Sequence, residues 1–541
     1  MGRWDNAVIQ SVELKRKLDR FDWSGAQSLC TELIQALNAS DEPFPIDPAK
    51  EILFHLRRKR QFTLMQLVAD ALIRNGQSHA QVRRQYAQAM IDQGDLTAPK
   101  LILQCILTDK LAPISEHAEA NGLIGRIYKQ LYVDANDPSS PRQQESIRQA
   151  IATYYDVYKV NPDRFLWQGI NTVALLERAS ADGVSVSDLP SKDEIASQID
   201  EILLQRERLE YWDRATAIEN SIARNDFGQA YDHLLYYLVD PRVDAFELNS
   251  LLRQLVQVWR LTTEKEPGST IIPALKATLL TRLGGRMDLP PGDIASESRQ
   301  AAQAYENLRN VLGDLRLQAI WGEAAFQPLE WYRTGLERCA AVGRVQSTTG
   351  QKVGTGFLVR RRDFFSHGPD DLVLLTNMHV IAPDDRPVPH SVSVAAARVK
   401  FEAQGTDYKA DALLWSSPYE DLDASFVKLR GVGESVHYCP LQPPAKMFLG
   451  NETQRVYVIG YPRGSDLAFS LQDSIWLERG NGRLLYQTPT DEGSSGSPVF
   501  DQDYWTLVGL HHAERTSQKA NEGIDIESIK AATCQAVGVS D

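Results

Sequence analysis

The pattern of apolar residues changes once along this chain of 541 residues, close to residue 338. Before that point, segments such as FTLMQLVADALIRNG and HAQVRRQYAQAMIDQG repeat apolar residues at spacings of three and four, the period of an amphipathic α-helix. After it, short segments such as DLVLLTNMHVI and RVYVIGY are rich in Val, Leu and aromatic residues and are separated by turn-forming residues, which is typical of β-strands. Because single cores stop growing at roughly 250–300 residues, we predict an all-α helical repeat region over residues 1–335 and an all-β domain over residues 338–541.

One helical segment has a more specific pattern, QESIRQAIATYYDVYKVNPDRFLWQGINTVALLERA. Ala150, Tyr154 and Pro162 lie four and then eight residues apart, as do the small residue, the aromatic residue and the terminating proline of a tetratricopeptide repeat. Short helices of this kind bury their apolar faces by stacking on their neighbours. We therefore expect a tetratricopeptide-like solenoid, and an ordinary helical bundle is the alternative.

The next helix, residues 165–176, resembles the GIN-A--LL helix of the tetratricopeptide-like region in TRAF-binding regulatory domains and in bacterial multidomain signalling proteins. This resemblance implies that residues 1–335 regulate the protein or bind a partner.

Charge and composition exclude several classes of function. The net charge of −13 disfavours nonspecific nucleic-acid binding, which requires clustered cations. We interpret the one dense basic run, residues 57–60, as the solvated end of a helix rather than a nucleic-acid patch. The sequence has no signal-peptide core and no window of 18 apolar residues, so we expect a cytoplasmic protein without a membrane partner. Five scattered cysteines, without C-x-x-C or H-E-x-x-H, indicate reduced thiols and no metal site.

The β region contains the three residue types that nucleophilic catalysis requires. His379 lies in LLTNMHVI, Asp423 in YEDLDASFVKL and Ser495 in DEGSSGSPVF. A serine hydroxyl is a weak nucleophile, and it needs an imidazole to take its proton and a carboxylate to orient that imidazole. Asp421 is an alternative carboxylate because it has the same parity as Asp423 on an extended strand. The spacing to the following KL favours Asp423.

Two other histidines are rivals for the role of base. His367 and His390 lie in stretches rich in Pro, Gly and Asp, with no strand leading into them. We interpret both as exposed loop residues.

The residues from Arg344 to the end resemble a trypsin-like serine protease with the chymotrypsin fold. GTGFLV is similar to the first barrel strand of that family, TNMHV to its histidine motif, DASFVKL to its aspartate motif and GSSGSP to its nucleophile motif. The resemblance implies an all-β double barrel and a serine endopeptidase without a cofactor, in which Ser495 is the nucleophile. It also implies an oxyanion hole made by the backbone N–H groups of Gly493 and Ser495. A catalytically inactive barrel that acts as a scaffold for protein partners is the alternative.

Two departures from the family pattern bear on regulation. Secreted members carry a bridged cysteine directly after the histidine, where this chain has Val380, in agreement with a reducing compartment. In members made as zymogens, an aspartate before the nucleophile pairs with a newly cut N-terminus, and Ser494 stands there instead. We therefore expect a protein activator or recruiter on the helical region, and the combination suggests an effector of bacterial stress or defence signalling.

Thr490 and His511 fall where glutamyl endopeptidases carry the threonine and histidine that bind an acidic side chain before the scissile bond. Hydroxyl and imidazole donors suit a carboxylate, whereas Asp491 and Glu492 would repel one unless they turn outward. A preference for acidic residues therefore stays open, and His511 as an ordinary strand residue beside His512 is the alternative.

Overall fold

The computed structural model describes residues 4, 6–19, 23–135, 137–282, 289–313, 328–386, 388–433, 436–441, 455–461, 467–470, 475–487, 494–515 and 520–536. The chain forms two compact units. The first comprises Met1–Gly284 and Glu306–Ala325, and the second comprises Gly285–Tyr305 and Phe326–Asp541.

The described α-helices are, in chain order, α1 (Ala7–Asp19), α2 (Trp23–Asn38), α3 (Ile46–Arg58), α4 (Phe62–Arg74), α5 (Ala80–Asp92), α6 (Ala98–Thr108), α7 (Ile114–Val133), α8 (Pro141–Tyr158), α9 (Leu166–Ala181), α10 (Lys192–Leu204), α11 (Tyr211–Ala223), α12 (Phe227–Val239), α13 (Ala245–Gln257), α14 (Gly268–Thr281), α15 (Ile294–Leu312), α16 (Pro328–Ala340) and α17 (Ile526–Ala536). The helices α4 to α7 are formed by FTLMQLVADALIRNG, HAQVRRQYAQAMIDQG, APKLILQCILTD and EHAEANGLIGRIYKQLYV, whose apolar residues recur at spacings of three and four. No described helix combines the length and apolar composition that a membrane crossing requires.

The helices α7, α8 and α9 pack around two aromatic residues. Tyr154 of α8 is fully buried, and a Cβ added to Gly125 of α7 would come within 2.9 Å of its ring. Trp167 of α9 packs edge-on against the same ring, with centroids 5.6 Å apart. Gly169 of α9 lies so close to Tyr158 that an added Cβ would meet that ring at 2.5 Å. Small residues opposite aromatic rings therefore set how closely these helices approach.

The basic run at residues 57–60 lies at the C-terminal end of α3, as the sequence predicts. Arg58 pairs with Asp244 at 2.8 Å, and Lys59 pairs with Asp19 at 2.9 Å. Both cations therefore have carboxylate partners within the first unit.

The described strands of the second unit are β1 (Val342–Ser347), β2 (Lys352–Arg360), β3 (Leu372–Thr376), β4 (Ile381–Ala382), β5 (Val392–Ser393), β6 (Ala397–Phe401), β7 (Thr406–Ser417), β8 (Ala424–Leu429), β9 (Val456–Gly460), β10 (Ala468–Ser470), β11 (Ile475–Gly480), β12 (Arg483–Gln487), β13 (Pro498–Asp501), β14 (Leu507–Arg515) and β15 (Ala520–Asp525). Six of them close into a barrel in the order β1-β2-β3-β8-β7-β6. Seven others form a second sheet in the order β10-β9-β13-β14-β15-β12-β11, and β4 pairs with β5.

The barrel core consists of the inward side chains of its strands, among them Val345, Leu358, Leu374, Val399 and Val427, all fully buried. The second sheet has a smaller core around Val458, Leu484 and Val499.

The helix α16 belongs to the second unit, although the sequence assigned residues up to 335 to the helical region. The indole N–H of Trp331 donates to the carbonyl of Gln502 at 2.8 Å, and that of Trp505 donates to the carbonyl of Trp331 at 2.9 Å. The two indoles lie 5.0 Å apart, and Tyr457 packs against both. Helical periodicity cannot reveal such long-range contacts.

We expect Gly169→Ala to lower the free energy of unfolding by about 1–3 kcal/mol, because the new methyl group overlaps the ring of Tyr158. Gly228→Ala is the matched control. Gly228 is an exposed helical glycine whose added Cβ would have no neighbour closer than 3.7 Å, so this substitution should be neutral or stabilise by up to about 1 kcal/mol. Urea denaturation followed by circular dichroism at the helical band measures both, and equal effects would contradict the packing argument.

Candidate active site

Strand pairing brings His379 and Asp423 together. The strand β3 ends at Thr376, which pairs with Ser425 near the start of the antiparallel strand β8. His379 follows the end of β3 in a tight turn, where the amide of Val380 donates to the carbonyl of Asn377 at 3.1 Å. Asp423 directly precedes β8. The two side chains therefore meet at one end of the barrel.

Asp423 is fully buried, and its carboxylate accepts two hydrogen bonds from His379. The His379 backbone N–H donates to Oδ1 at 3.0 Å, and His379 Nδ1 lies 2.5 Å from Oδ2. The side-chain amide of Asn377, also buried, donates to the backbone carbonyl of Asp423 at 2.9 Å. These contacts fix both the imidazole and the backbone that carries the carboxylate.

The parity argument for Asp421 is wrong, because the chain is not extended there. The amides of Asp421 and Asp423 both donate to the carbonyl of Pro418, which makes the segment a turn. Asp423 has a φ of +40°, in the left-handed region that a residue with a Cβ seldom adopts. The Asp421 carboxylate instead accepts a hydrogen bond from Ser417 Oγ at 3.1 Å. Of the two carboxylates, only that of Asp423 reaches His379.

A second imidazole contacts the same carboxylate. His512 is buried, and its Nε2 lies 3.2 Å from Asp423 Oδ2, within ion-pair distance although not aligned as a hydrogen bond. Its Nδ1 lies 3.2 Å from Glu522 Oε1. The ring of Tyr419 packs over both imidazoles, with centroids 5.8 Å from His379 and 5.1 Å from His512. The sequence showed only that His512 follows His511 on a strand, so its contact with Asp423 was missed.

These contacts determine the charge state of Asp423. Burial alone would raise its pKa, but the hydrogen bond from His379 and the contact with His512 outweigh burial, and the pKa lies below its usual value. The carboxylate is therefore ionised at neutral pH.

Ser495 lies in a turn that a glycine makes possible. The amide of Ser497 donates to the carbonyl of Ser494 at 3.1 Å, which closes a four-residue turn. Gly496 at its third position has a φ of +85°, and an added Cβ would lie 2.0 Å from the carbonyl oxygen of Thr355. The amide of Thr355 donates to the Ser495 carbonyl at 2.9 Å, which ties the turn to β2. Residues 494–497 are thus a tight turn in which only glycine fits at 496.

The Ser495 hydroxyl donates to the backbone carbonyl of His512 at 3.4 Å. Among the described residues it forms no hydrogen bond to His379. Both side chains nevertheless line one cavity of about 750 Å³, together with His512 and Tyr419. The candidate nucleophile and the candidate base therefore face a common space without being hydrogen-bonded.

The remaining candidate residues are placed as follows. Gly493 and Thr490 lie outside the described residues. His511 is buried, and its Nδ1 is hydrogen-bonded to the Tyr486 hydroxyl at 2.6 Å. Burial, followed by the charges of His512 and His379, lowers its pKa to about 3, so this imidazole is neutral at pH 7. The rivals His367 and His390 are both exposed loop residues.

The side chains of His379, Asp423 and His512 also form a group with metal-ligand chemistry. One ligand atom from each lies within 4.8 Å of the others. However, Asp423 Oδ2 already contacts both imidazoles, and His379 Nδ1 lies at hydrogen-bonding distance from it. We therefore interpret the group as two imidazoles held around one buried carboxylate rather than as a metal centre.

Two segments of the chain, one in each unit, match known families. Residues 354–510 match the family described as the trypsin-like peptidase domain, and residues 61–176 match the family described as Tetratricopeptide Repeats-Sensor. The chain therefore carries a trypsin-like peptidase domain preceded by tetratricopeptide-like sensor repeats, as the sequence predicted. A comparison with curated proteins found no match.

Several solved protease structures are similar to part of the chain. A serine-to-alanine mutant of Rv3671c from M. tuberculosis H37Rv, in an inactive form, is 16% identical over 38% of this chain and 91% of its own, with a TM-score of 0.26. The VesB protease of Vibrio cholerae is 15% identical over 36% of this chain and 62% of its own, with a TM-score of 0.26. A catalytically inactive tobacco etch virus protease is 12% identical over 37% of this chain and 85% of its own, with a TM-score of 0.24.

We expect Gly496→Ala to destabilise the turn that carries Ser495, because the new methyl group overlaps the Thr355 carbonyl and the φ is unfavourable. Gly431→Ala is the matched control, since Gly431 also has a positive φ, of +80°, but an added Cβ has nothing within 4 Å. Hydrogen exchange followed by mass spectrometry should show faster exchange in β13 and β14 only for Gly496→Ala. Unchanged exchange there would contradict the steric argument.

Proposed function

We propose that the second unit is a serine endopeptidase that hydrolyses peptide bonds in protein substrates through His379, Asp423 and Ser495. The observation that carries this proposal is the buried, ionised Asp423 carboxylate 2.5 Å from His379 Nδ1. An ionised carboxylate accepts only, so Nδ1 carries the proton and Nε2 has a free lone pair. An imidazole in this tautomer can act as a general base.

The reaction then follows from these positions. His379 Nε2 takes the proton of the Ser495 hydroxyl as Oγ attacks the substrate carbonyl carbon, and Asp423 stabilises the imidazolium that forms. The imidazolium returns the proton to the leaving amine as the peptide bond breaks. Water, activated by the same imidazole, then hydrolyses the acyl-enzyme and restores the serine.

This mechanism requires the Ser495 hydroxyl to leave the His512 carbonyl, to which it donates at 3.4 Å. A rotation about χ1 of Ser495 changes its partner without moving the backbone, which is held by Thr355. Among the described residues the Ser495 amide has no acceptor, so it is available for an oxyanion. Gly493 is proposed as the second donor.

The test is labelling of the full chain with a fluorophosphonate probe, which reacts with activated serines. Wild type and Ser494→Ala should be labelled, whereas Ser495→Ala should not. Ser494 is the matched control because it is a buried serine in the same turn. Labelling that survives in Ser495→Ala would refute the assignment.

Asp423→Asn should slow labelling by about four orders of magnitude, because the amide favours the wrong imidazole tautomer. Asp421→Asn should leave the rate unchanged, since the Asp421 carboxylate contacts Ser417 instead. Equal rates for the two variants would favour the alternative function, an inactive scaffold that binds protein partners.

We extend the proposal to substrate preference, with an acidic residue before the scissile bond. What supports this is the neutral imidazole of His511. If the Tyr486 hydroxyl donates to Nδ1, then Nε2 carries a proton that can be donated to a carboxylate. Thr490 is proposed as a second donor.

We expect His511→Phe to lower kcat/KM for a glutamyl peptide by about tenfold or more, the effect of losing a hydrogen bond to a charged group. Cleavage of a matched alanyl peptide should change much less, and His511→Gln, which retains a donor, should lie between. Steady-state kinetics with both peptides measures this. Equal losses for the two peptides would contradict a role in specificity.

We also propose that residues 1–335 regulate or target a protease domain within residues 338–541, through a protein activator or recruiter, in a cytoplasmic effector of bacterial stress or defence signalling. Support comes from the sensor-repeat match of residues 61–176 and from five free thiols, which suit a reducing compartment. Affinity capture with full-length Ser495→Ala as a substrate trap tests the targeting. If Ser495→Ala variants with substitutions on exposed residues of the helical region capture the same proteins in the same amounts, the helical region does not select the substrates.

A further inference from the structure

The helical unit contains a cavity of about 460 Å³ whose lining residues all lie between Arg57 and Val258. Cavities that bind small molecules in proteins are typically about 300–1,000 Å³. The lining comes from the helices α3, α5, α7, α9, α11, α12 and α13, together with the segment before α9. The cavity therefore belongs to the packed helices of the first unit and is separate from the candidate active site.

A lysine lines this cavity without a carboxylate among its hydrogen-bond partners. Lys129 Nζ donates to Asn171 Oδ1 at 2.9 Å and to Gln254 Oε1 at 2.7 Å. Both acceptors are neutral amides. The carboxylate of Glu219 is engaged elsewhere, with Trp259 Nε1 at 2.8 Å and Gln254 Nε2 at 3.2 Å.

A second cation of the cavity, Arg253, has fewer partners than Lys129 among the described residues. The guanidinium of Arg253 lines the cavity and forms no hydrogen bond or ion pair within the part of the chain that the structure describes. Burial, followed by the charge of Arg126, lowers its pKa to about 10. Lys129 and Arg253 are both half-buried, and holding cations close together in a partly enclosed cavity costs free energy unless an anion compensates them. The folded chain therefore offers an unsatisfied positive site.

The acidic residues of the cavity offset this charge only in part. Glu119, Glu219 and Glu247 line it, and burial raises the pKa of Glu219 and of Glu247 to about 7. Burial also lowers the pKa of Lys129 to about 7, so burial weakens charges of both signs. Arg57, Arg126 and Arg164 join Arg253 in the lining, which gives four arginines against three carboxyl groups. An anion is therefore favoured over a cation as the occupant.

Two tryptophans at the cavity indicate what else the ligand carries. Trp167 and Trp212 line it with 47% and 55% of their surface exposed, unusually high for the largest apolar side chain. Each is held edge-on by a tyrosine, Trp167 by Tyr154 and Trp212 by Tyr211. An exposed indole that a neighbouring ring holds in place can stack against a planar ring of a ligand.

We propose that this cavity binds a small phosphorylated molecule with a planar ring, of the nucleoside monophosphate class, with its phosphate at Lys129 and Arg253 and its ring against Trp167 or Trp212. The multiple cations suit a phosphate better than a single carboxylate. The volume suits a mononucleotide and is too small for a folded partner. This site adds a small-molecule ligand to the protein activator proposed above, and its existence does not depend on protease activity.

The test is isothermal titration calorimetry of full-length Ser495→Ala with each of the four ribonucleoside 5′-monophosphates, with the matching nucleosides and with inorganic phosphate. At least one monophosphate should bind saturably, and its nucleoside and inorganic phosphate should each bind at least about tenfold more weakly. Failure of all four monophosphates to bind would overturn the proposal. Binding of inorganic phosphate as tightly as the best nucleotide would overturn the role of the ring.

Variants in the same background locate the site. Arg253→Met should weaken binding by about tenfold or more. Its melting temperature should not fall, because Arg253 has no described partner to lose. Lys129→Met should weaken binding similarly. The control Lys159→Met removes an exposed ion pair with Asp156 and a cation–π contact with Tyr155, none of which lines the cavity, and it should bind like the parent. Unchanged binding in both cavity variants, or an equal loss in the control, would overturn the site. Because Ser495 is absent throughout, failure here leaves the proposed protease function untouched.

Discussion

The second unit depends on the burial of one carboxylate. Asp423 has no solvent contact, and a buried charge is tolerated only when donors surround it. The register of β3 against β8 supplies one imidazole, and the strand β14 supplies the other at 3.2 Å. The left-handed backbone of Asp423 is the local strain that this arrangement imposes. Elements far apart in the sequence therefore converge on a single anion.

The parts of this site that the sequence could predict are those that local patterns encode. Short apolar runs ended by Gly and Asp located the strands, and the motifs around His379, Asp423 and Ser495 gave the three candidate side chains. The contact of His512 with Asp423 was unpredictable, because it depends on how β14 lies against the barrel. The parity argument for Asp421 failed because a turn replaces the extended chain that it assumed. The periodicity of a sequence predicts neither contacts between distant strands nor turns that interrupt an extended segment.

In the helical unit, too, local patterns predict the elements but not the contacts between distant residues. The periodicity located α4 to α7 closely, and the spacing of Ala150, Tyr154 and Pro162 indicated a tetratricopeptide-like repeat. No periodicity indicates that Lys129 and Arg253, more than a hundred residues apart, line one cavity. Both lie among residues that a helical pattern assigns merely to polar faces. Whether a polar residue faces solvent or an internal cavity is decided by packing, which a single sequence does not encode.

The tryptophan contacts of α16 limit where the chain can be cut without damage to the β unit. Trp331 and Trp505 each donate an indole N–H to a carbonyl on the other side of their interface. A recombination point at residue 338 would detach Trp331 from the β unit and leave both the carbonyl of Gln502 and the indole of Trp505 without these partners. A β unit that keeps these contacts therefore includes α16 and begins at or before Pro328.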